Sequence, residues 1–454
     1  MSNDPRSLTL VARETRPFQT LVAMSHLLLP SSFARRVITA MNLVQKTILS
    51  AIFFLSSMVS ASALSQEDQH RLNEFAQKAI TKSRSIGGYP VNQDTSLDGF
   101  YEWYYKSGLY RASLNNVGNP RTTSPYSLNT YKFENEVIDY FAPLYGFKEG
   151  DYWGFVTSSG TDGNQHGIYF GRKHLSSMSS APPVLYVSEE AHYSIPKLAD
   201  VQNMELGLIK TKDMGQMDLV DFENKLVPDR PALVVVAMGS TFKGAIDPQE
   251  DIRKILKAKL KAPSHIHLDA ALFGGYLAFA DDERSQLVKQ QIQKFDSISV
   301  SGHKFFGFDE PMGLFITTKD TFDNINPMHV NYLHDAVPTI SCSRSGISPL
   351  KFWWKIRSTP VVAFKEKADG ILKNADYLVR SLQEADIKAW KNPISNTVFF
   401  ERPEPAVLEK YDLAPDESPT FGKLAHFVVM PHVTKDLIDS FVADMRSWKS
   451  GAGR

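Results

Sequence analysis

The 454-residue chain has a single cysteine, Cys342. One thiol cannot form an intramolecular disulfide, and it cannot build a metal site that depends on several cysteines. An excess of charge of one sign is also missing, because 50 Lys and Arg residues balance 50 Asp and Glu residues. A chain with zero net charge has no overall field that favours nucleic acid or an anionic membrane. We therefore expect neither a nucleic-acid partner nor a stable membrane partner.

Long apolar runs are scarce, and one that does occur lies near the N-terminus. The segment from Met41 to Ala63, MNLVQKTILSAIFFLSSMVSASA, has one Lys, an apolar stretch and an A-x-A end, which is typical of a secretory signal peptide. It falls short of the roughly 20 apolar residues of a membrane span. Forty residues precede it, whereas signal peptides begin at the start codon. Two predictions stay open: a cytoplasmic protein that keeps the segment, or an exported one cleaved after Ala63.

Repeats and low-complexity linkers are missing as well. After an N-terminal extension of residues 1–64, short β-rich runs alternate with helical patterns, which predicts an α/β fold with a mostly parallel sheet covered on both faces. The predicted strands are 152–157, 183–188, 232–237, 266–270, 297–301 and 313–317. Beyond Pro360 a long helix, strands at 397–401 and 426–430 and a closing helix predict a smaller α+β domain. The predicted large domain, with a helical N-terminal segment, is 65–355, and the small one is 356–454.

Polar residues follow several of these strands, where ligands collect in open α/β sheets. TSSGTDGN (157–164) precedes a helical pattern, and its glycines and helix N-terminal N–H groups could hold a phosphate. By themselves, such residues before a helix are more often only an ordinary helix cap. His192 lies in a loop after another strand, where a lone histidine is more often a surface group than a catalytic one.

His265, His267 and Asp269 alternate along one predicted strand, so their side chains share a face. This pattern allows a His-x-His-x-Asp metal site or merely a polar strand end. Asp269 could also pair with a protonated ring nitrogen. Lys304 follows the next strand in SISVSGHKFFGFDEPMG (297–313). Beside a phosphate cradle and a buried Asp, such a lysine suggests a Schiff base with pyridoxal phosphate, rather than a surface lysine at a strand end.

Several further segments occur in a fixed order along the chain. They are YPVNQD (89–94), LNNVGNP (114–120), YKFENEVIDYFAPLYG (131–146), GFVTSSGTDGN (154–164), EEAHYSIPKLA (189–199), MGSTFKGAID (238–247), HLDAALFGG (267–275), TISCSRSG (339–346) and HFVVMPHVTKD (426–436). With the lysine segment, they make the chain resemble the group II pyridoxal-phosphate-dependent amino acid decarboxylases. Within that family it is most similar to bacterial histidine decarboxylases and related plant serine decarboxylases.

The resemblance implies the fold of type I pyridoxal phosphate enzymes, a homodimer and a role for each matching residue. Lys304 is expected to form the Schiff base and Asp269 to pair with the pyridine nitrogen, which replaces the metal interpretation. His192 is expected to stack on the ring and contact the substrate. The phosphate is expected at Gly160, Thr161, Ser301 and His303, and Thr241 and Ala271 are expected to line the two sides of the cofactor.

Three positions, in two segments, depart from the family pattern. Ser159 and Asp162 stand where relatives more often have Gly and Glu, and Cys342 stands where relatives usually have Gly.

The expected reaction is decarboxylation of an L-amino acid, with histidine favoured and serine or an aromatic amino acid as alternatives. Transamination, elimination or an inactive binding protein are further alternatives with the same cofactor residues. Tyr193 and Tyr332 are candidate proton donors.

Overall fold

The computed structural model describes residues 64–124 and 126–451. Contacts divide the chain into two compact units, residues 1–80 and 81–454. The described part of the first unit is most of one helix, α1 (Gln66–Ser83), which buries none of its side chains. The segment from Met41 to Ala63 lies outside the described residues, so export and retention in the cytoplasm both stay predictions.

Helices alternate with strands along the second unit. In chain order the remaining helices are α2 (Asp98–Lys106), α3 (Tyr131–Leu144), α4 (Gly160–Met178), α5 (Ser194–Val201), α6 (Leu219–Lys225), α7 (Gln249–Lys259), α8 (Gly274–Leu277), α9 (Gln290–Gln293), α10 (Gly302–Phe305), α11 (Lys319–Asp323), α12 (Ile347–Ser358), α13 (Val361–Glu384), α14 (Pro405–Tyr411) and α15 (Lys435–Ser450). In the described ranges, none of the helices is long and apolar enough to cross a bilayer.

A seven-stranded sheet forms the centre of this unit. Its strands are β2 (Tyr152–Thr157), β3 (Val184–Ser188), β4 (Glu205–Ile209), β5 (Ala232–Ala237), β6 (Ser264–Asp269), β7 (Ser297–Ser301) and β8 (Gly313–Thr318). Their spatial order is β2-β8-β7-β6-β5-β3-β4. Strand β8 pairs antiparallel with β2 and β7, and the other neighbouring strands of this sheet pair parallel. The predicted α/β class with a mostly parallel sheet is therefore confirmed.

The sheet forms where the sequence has uninterrupted apolar runs. Every residue of β5 is buried, because a parallel sheet is covered by helices and its strands need apolar side chains on both faces. Helix α4 contacts β6, β7 and β8, and α3 contacts β2. Strand β4 was missed by the sequence prediction because it lies at the sheet edge, with only Ile209 buried.

A second, antiparallel sheet forms in the C-terminal part of the chain. Its strands are β12 (Ala389–Lys391), β13 (Thr397–Glu401), β14 (Ala414–Ser418) and β15 (Gly422–Val428), in the order β12-β13-β15-β14. Two of them were predicted, although β15 begins and ends earlier than expected. The predicted domain boundary at residues 355 and 356 falls inside α12 and stays a prediction.

Two small antiparallel pairs complete the described strands. Strand β1 (Asn115–Val117) pairs with β11 (Ser343–Ser345), and β9 (Met328–Val330) pairs with β10 (Asp335–Val337). The first pair brings the TISCSRSG segment next to LNNVGNP, although the two are more than 200 residues apart in sequence.

Candidate active site

The carboxyl ends of three neighbouring strands of the central sheet lie side by side. Ala237 at the end of β5 is in register with Asp269 at the end of β6, and Asp269 is in register with Ser299 of β7. Because the three strands are parallel, their carboxyl ends meet there. A cavity of about 360 Å³ lies at this edge. It is lined by Tyr89, Pro90, Val91, Ser159, Gly160, Thr161, Asn164, His192, Tyr193, Ala237, Gly239, Thr241, Asp269, Ala271, Leu272, Ser301, His303, Lys304 and Pro311. All nine residues predicted from the resemblance to contact the cofactor are in this set.

The N-terminus of α4 faces the cavity, and two side-chain hydrogen bonds stabilise it. The Ser159 hydroxyl accepts a hydrogen bond from the Asp162 backbone N–H at 3.1 Å, and the Asp162 carboxylate accepts one from the Ser158 N–H at 2.8 Å. The arrangement is similar to a capping box, except that the carboxylate accepts from the residue before the N-cap instead of from the N-cap itself. Ser159 and Asp162, which depart from the family pattern, therefore keep the helix terminus ordered. The N–H groups of Gly160 and Thr161, at the positive end of the helix dipole, remain available for an anion.

Asp162 also connects this terminus to the TISCSRSG segment through His166. The His166 Nδ1 atom lies 3.1 Å from the Asp162 carboxylate, and its Nε2 atom accepts a hydrogen bond from the Ile340 N–H at 3.0 Å. Burial raises the pKa of Asp162, but the hydrogen bonds from His166 and Ser158 outweigh burial and lower it. Cys342 itself is exposed.

Close packing at Gly160 fits a phosphate cup. A Cβ atom at this position would lie 2.3 Å from the Ser301 hydroxyl oxygen and 3.1 Å from the Ala271 Cβ. Since real Cβ atoms do not approach so closely, only glycine lets the helix terminus and the end of β7 converge here. The resulting donors are two backbone N–H groups and one hydroxyl, a set that suits an anionic oxygen. The residues present therefore fit pyridoxal phosphate.

Lys304 and Asp269 face the same cavity from adjacent strand ends. Lys304 lies in the short helix α10, directly after β7, and burial lowers the pKa of its amine, although the Asp269 carboxylate opposes this shift. A lower pKa enlarges the neutral fraction of the amine, which is the form that attacks a carbonyl. Asp269 is only 7% exposed, and its carboxylate accepts a hydrogen bond from the Ala271 N–H at 3.2 Å.

Two histidines of the cavity are held by short-range contacts. The His192 Nδ1 atom lies 2.7 Å from the Ser194 hydroxyl. Burial lowers the pKa of His192, and the positive charges of Lys304 and Lys197 lower it further against the opposing effect of Asp269. The ring is therefore neutral at pH 7.

His303 donates from Nδ1 to the Met312 carbonyl at 3.3 Å. Burial lowers its pKa, and the neighbouring Lys304 adds to the shift. Like His192, this ring is neutral at pH 7, so both can take part in hydrogen bonding without adding charge to the cavity.

Sequence reasoning gave no role to several residues that line the cavity. Tyr89, Pro90 and Val91 belong to the YPVNQD segment, and Asn164 closes TSSGTDGN. Both segments carried the resemblance, but nothing in the sequence indicated that these four residues line the cavity. Both candidate proton donors are exposed, Tyr193 at 67% and Tyr332 at 79%, but only Tyr193 is among the residues that line this cavity.

The alternating triad on β6 does not converge on one point. His265 and His267 both hydrogen-bond to Ser297, at 3.2 and 2.8 Å, while Asp269 faces the cavity. In the part of the chain that the structure describes, no group of three His, Cys, Asp or Glu side chains is arranged to hold a metal ion.

Comparison with known sequences assigns the chain to a family. A model of the pyridoxal-dependent decarboxylase conserved domain matches residues 171–399. Histidine decarboxylase of Morganella morganii is 34% identical over 84% of this chain and 98% of its own length. Serine decarboxylase 1 of Oryza sativa subsp. japonica is 34% identical over 82% of this chain and 74% of its own length. The chain belongs to the pyridoxal-dependent decarboxylase family.

The fold agrees with this assignment. L-Methionine decarboxylase from Streptomyces sp.590 superposes with a TM-score of 0.72 at 22% identity, covering 85% of this chain and 96% of that one. The predicted type I fold is therefore confirmed. As a member of this family the chain is a carboxy-lyase, its cofactor is pyridoxal phosphate, and its substrates are amino acids.

Proposed function

We propose that this decarboxylase converts L-histidine to histamine and CO2, with Lys304 carrying the cofactor as a Schiff base. The choice of histidine rests on how much of each relative's length aligns with this chain. The Morganella morganii histidine decarboxylase aligns over 98% of its length, whereas the rice serine decarboxylase aligns over 74%. Serine, which would give ethanolamine, is the second candidate because its decarboxylase is equally similar in sequence, at 34% identity.

The proposed roles are those that the family resemblance implies, and the location of the residues in one cavity supports them. Bound pyridoxal phosphate supplies an electron sink for the pair released when the carboxylate leaves as CO2. Asp269 would hold a proton at the pyridine nitrogen by charge pairing, which strengthens that sink. Lys304 would attach the cofactor through its neutral amine. His192, fixed by Ser194, would stack on the ring and contact the substrate.

The remaining cavity residues would orient the cofactor. Gly160, Thr161, Ser301 and His303 would hold its phosphate, and Thr241 and Ala271 would line its two sides. Tyr193 lines the same cavity, which makes it the preferred candidate for returning a proton to the α-carbon.

The test is an assay of CO2 release by the purified holoenzyme with L-histidine, L-serine and the aromatic amino acids, each at the same concentration. The amine product is identified by mass spectrometry, and Lys304→Ala is the control for cofactor-dependent chemistry. We expect CO2 and histamine from histidine, and no release above background from Lys304→Ala.

Each other result has a distinct meaning. Ethanolamine from serine, or an aromatic amine, would keep the family reaction and replace the substrate. A keto acid without CO2 would indicate transamination or elimination and would overturn the proposal. CO2 release that persists in Lys304→Ala would overturn the role of this lysine.

We also propose a homodimer. Helix α2 and the turn after it expose Trp103, Tyr105 and Tyr110, at 39%, 60% and 45%. Clustered exposed aromatic side chains are typical of an interaction surface. Light scattering coupled to size-exclusion chromatography is expected to give twice the chain mass, and a single-chain mass would contradict the proposal.

A further inference from the structure

A row of buried polar side chains lies beneath α4, next to the cofactor cavity. His265 and His267 of β6 are both 0% exposed. Two glycines of α4 make room for them. A Cβ at Gly167 would lie 2.2 Å from the His267 ring, and a Cβ at Gly171 would lie 2.7 Å from the His265 ring. Glycine in a helix interior costs about 1 kcal/mol relative to alanine, so the fold accommodates both imidazoles at the expense of helix propensity.

The hydrogen bonds of this row have one direction. The Asn164 side-chain oxygen lies 3.0 Å from His267 Nε2, and an amide oxygen only accepts, so Nε2 carries the hydrogen. In a neutral ring Nδ1 then accepts, here from the Ser297 hydroxyl at 2.8 Å. That hydroxyl has given its one hydrogen, so it accepts from His265 Nε2 at 3.2 Å. The row therefore runs from His265 through Ser297 and His267 to Asn164.

Burial keeps the row neutral. It lowers the pKa of His267 to about 3 and the pKa of His265 well below its usual value. His265 Nδ1 has no hydrogen-bond partner, and the nearest carboxylate oxygen, of Asp296, is 3.9 Å away. Neither histidine therefore gains a proton near pH 7, and the direction of the hydrogen bonds does not change there.

Asn164 is the end of the row that reaches the cavity. It is 2% exposed and lines the cavity with Asp269 and Thr161. Because its oxygen is occupied by His267, its Nδ2 hydrogens are the free donors, and among the described residues no hydrogen bond uses them. A nearly buried amide donor with no protein acceptor points to an acceptor on a ligand.

We propose that Asn164 donates a hydrogen bond to an anionic oxygen of the cofactor, and that His267, Ser297 and His265 are positioning residues that fix its orientation. The proposal rests on the proposed cofactor site and adds a donor that the family resemblance did not supply. The anionic oxygen belongs either to the phosphate or to the ring hydroxyl of pyridoxal phosphate, and binding measurements separate the two.

The test measures dissociation constants of the apoprotein for pyridoxal phosphate, for pyridoxal and for inorganic phosphate. The variants are Asn164→Ala, His267→Leu, His267→Gln and Ser297→Ala. We expect Asn164→Ala to weaken pyridoxal phosphate binding about tenfold, as for loss of a hydrogen bond to a charged group. His267→Leu is expected to weaken it as much, although this side chain does not line the cavity.

Rescue separates positioning from a merely structural effect. The amide N–H of His267→Gln can replace Nε2–H, so this variant is expected to bind within about twofold of the wild type, with Ser297→Ala in between. The double variant Asn164→Ala with His267→Leu is expected to lose no more than either single change, since the two act through one bond. If binding of pyridoxal phosphate and inorganic phosphate weakens and pyridoxal binding does not, the acceptor is the phosphate. If binding of pyridoxal phosphate and pyridoxal weakens and phosphate binding does not, the acceptor is the ring oxygen.

The outcomes distinguish this proposal from the proposed function. Wild-type binding of pyridoxal phosphate by Asn164→Ala would overturn the inference, even if histidine is decarboxylated normally. Equal losses in His267→Leu and His267→Gln would overturn the positioning role. If His267→Leu does not fold, Asn164→Ala and His267→Gln decide the matter. Normal cofactor binding without CO2 release would overturn the proposed function alone, and a wild-type apoprotein that does not bind the cofactor would overturn both.

Discussion

The two sheets of the second unit serve the cavity in different ways. The seven-stranded sheet brings the ends of β5, β6 and β7 to one edge, and its strand ends supply Asp269 and Ser301. The four-stranded sheet supplies none of the described residues that line the cavity. Its contribution is made through His426 of β15, whose ring nitrogens lie 2.8 Å from the Phe242 carbonyl and 2.9 Å from the Gly88 carbonyl.

This difference reflects the geometry of the two sheet types. In the large sheet, neighbouring parallel strands end on the same side, so side chains from distant parts of the chain converge. Neighbouring antiparallel strands end on opposite sides, and the small sheet instead holds the backbone of two loops. Those loops carry Tyr89 and Thr241, which line the cavity. Changes near the large sheet should therefore affect folding and chemistry, and changes in the small sheet should affect access and binding.

The largest expected effect is at a buried ion pair beside the large sheet. Glu134 of α3 pairs with Arg344 and also accepts hydrogen bonds from the Val156 N–H at 3.0 Å and from Asn116 at 2.8 Å. Glu134→Gln leaves the guanidinium buried without its counter-charge, which costs about 3–5 kcal/mol. Chemical denaturation measures the free energy of unfolding.

The matched control for Glu134→Gln is Glu102→Gln. Glu102 pairs with Lys106 at the surface, with side chains 64% and 75% exposed, and breaking such a pair costs about 0.3–0.5 kcal/mol. Equal losses in the two variants would show that burial of the Glu134 pair has no energetic consequence.

The next effect concerns Asp269 at the end of β6. We expect Asp269→Asn to lower kcat by roughly 10²–10³, comparable to other losses of preorganised electrostatic stabilisation, with the free energy of unfolding nearly unchanged. Asp269→Glu keeps the charge and should recover part of the rate. A kcat for Asp269→Asn within a few-fold of the wild type would contradict the proposed pairing.

Gly160→Ala tests whether the proposed phosphate site depends on the close packing of Gly160 against Ser301 and Ala271. The added methyl group would meet Ser301 and Ala271, and overpacking of this kind costs roughly 1–3 kcal/mol. We expect cofactor binding to weaken at least tenfold in equilibrium dialysis. Gly370→Ala is the control, because a Cβ there meets no atom within 4 Å, and its binding should be unchanged.

The smallest effect is expected in the four-stranded sheet. His426→Leu removes the ring that holds the carbonyls of Gly88 and Phe242, so KM for the amino acid should rise a few-fold while kcat stays close to the wild-type value. A fall in kcat with KM unchanged would contradict the division of roles between the two sheets.

The same variant changes the pH dependence of stability. Burial lowers the pKa of His426, although both carbonyls favour the protonated ring. As the pH falls below about 6.5, the unfolded chain takes up a proton before the folded ring does, so the free energy of unfolding falls by at most about 1.4 kcal/mol per pH unit. His426→Leu should lack this contribution, whereas His70→Leu, at an exposed position, should keep it.

Much of the fold followed from local patterns. Strands β2, β5 and β7 have the predicted bounds. The ALVVVA run of β5 is apolar on both faces, which specifies a buried strand of a parallel sheet. The edge strand β4 and the short strands β12 and β14 were missed, since exposed or short strands lack that pattern. Nine of the residues that line the cavity were predicted through motifs, whereas Tyr89, Val91 and Asn164 were given no role.

The sequence by itself determined the α/β class, most strands of the central sheet and the family, and it predicted the cofactor residues, because these depend on local composition and on ordered motifs. Only the tertiary structure decided which polar side chains meet. His267 contacts Asn164 across 103 positions, and His426 contacts Gly88 across 338. Contacts of that kind depend on strand order and helix packing, which no local pattern records. Only the fold therefore revealed the hydrogen-bonded row beneath α4 and the contacts of His426 with the two loops that line the cavity.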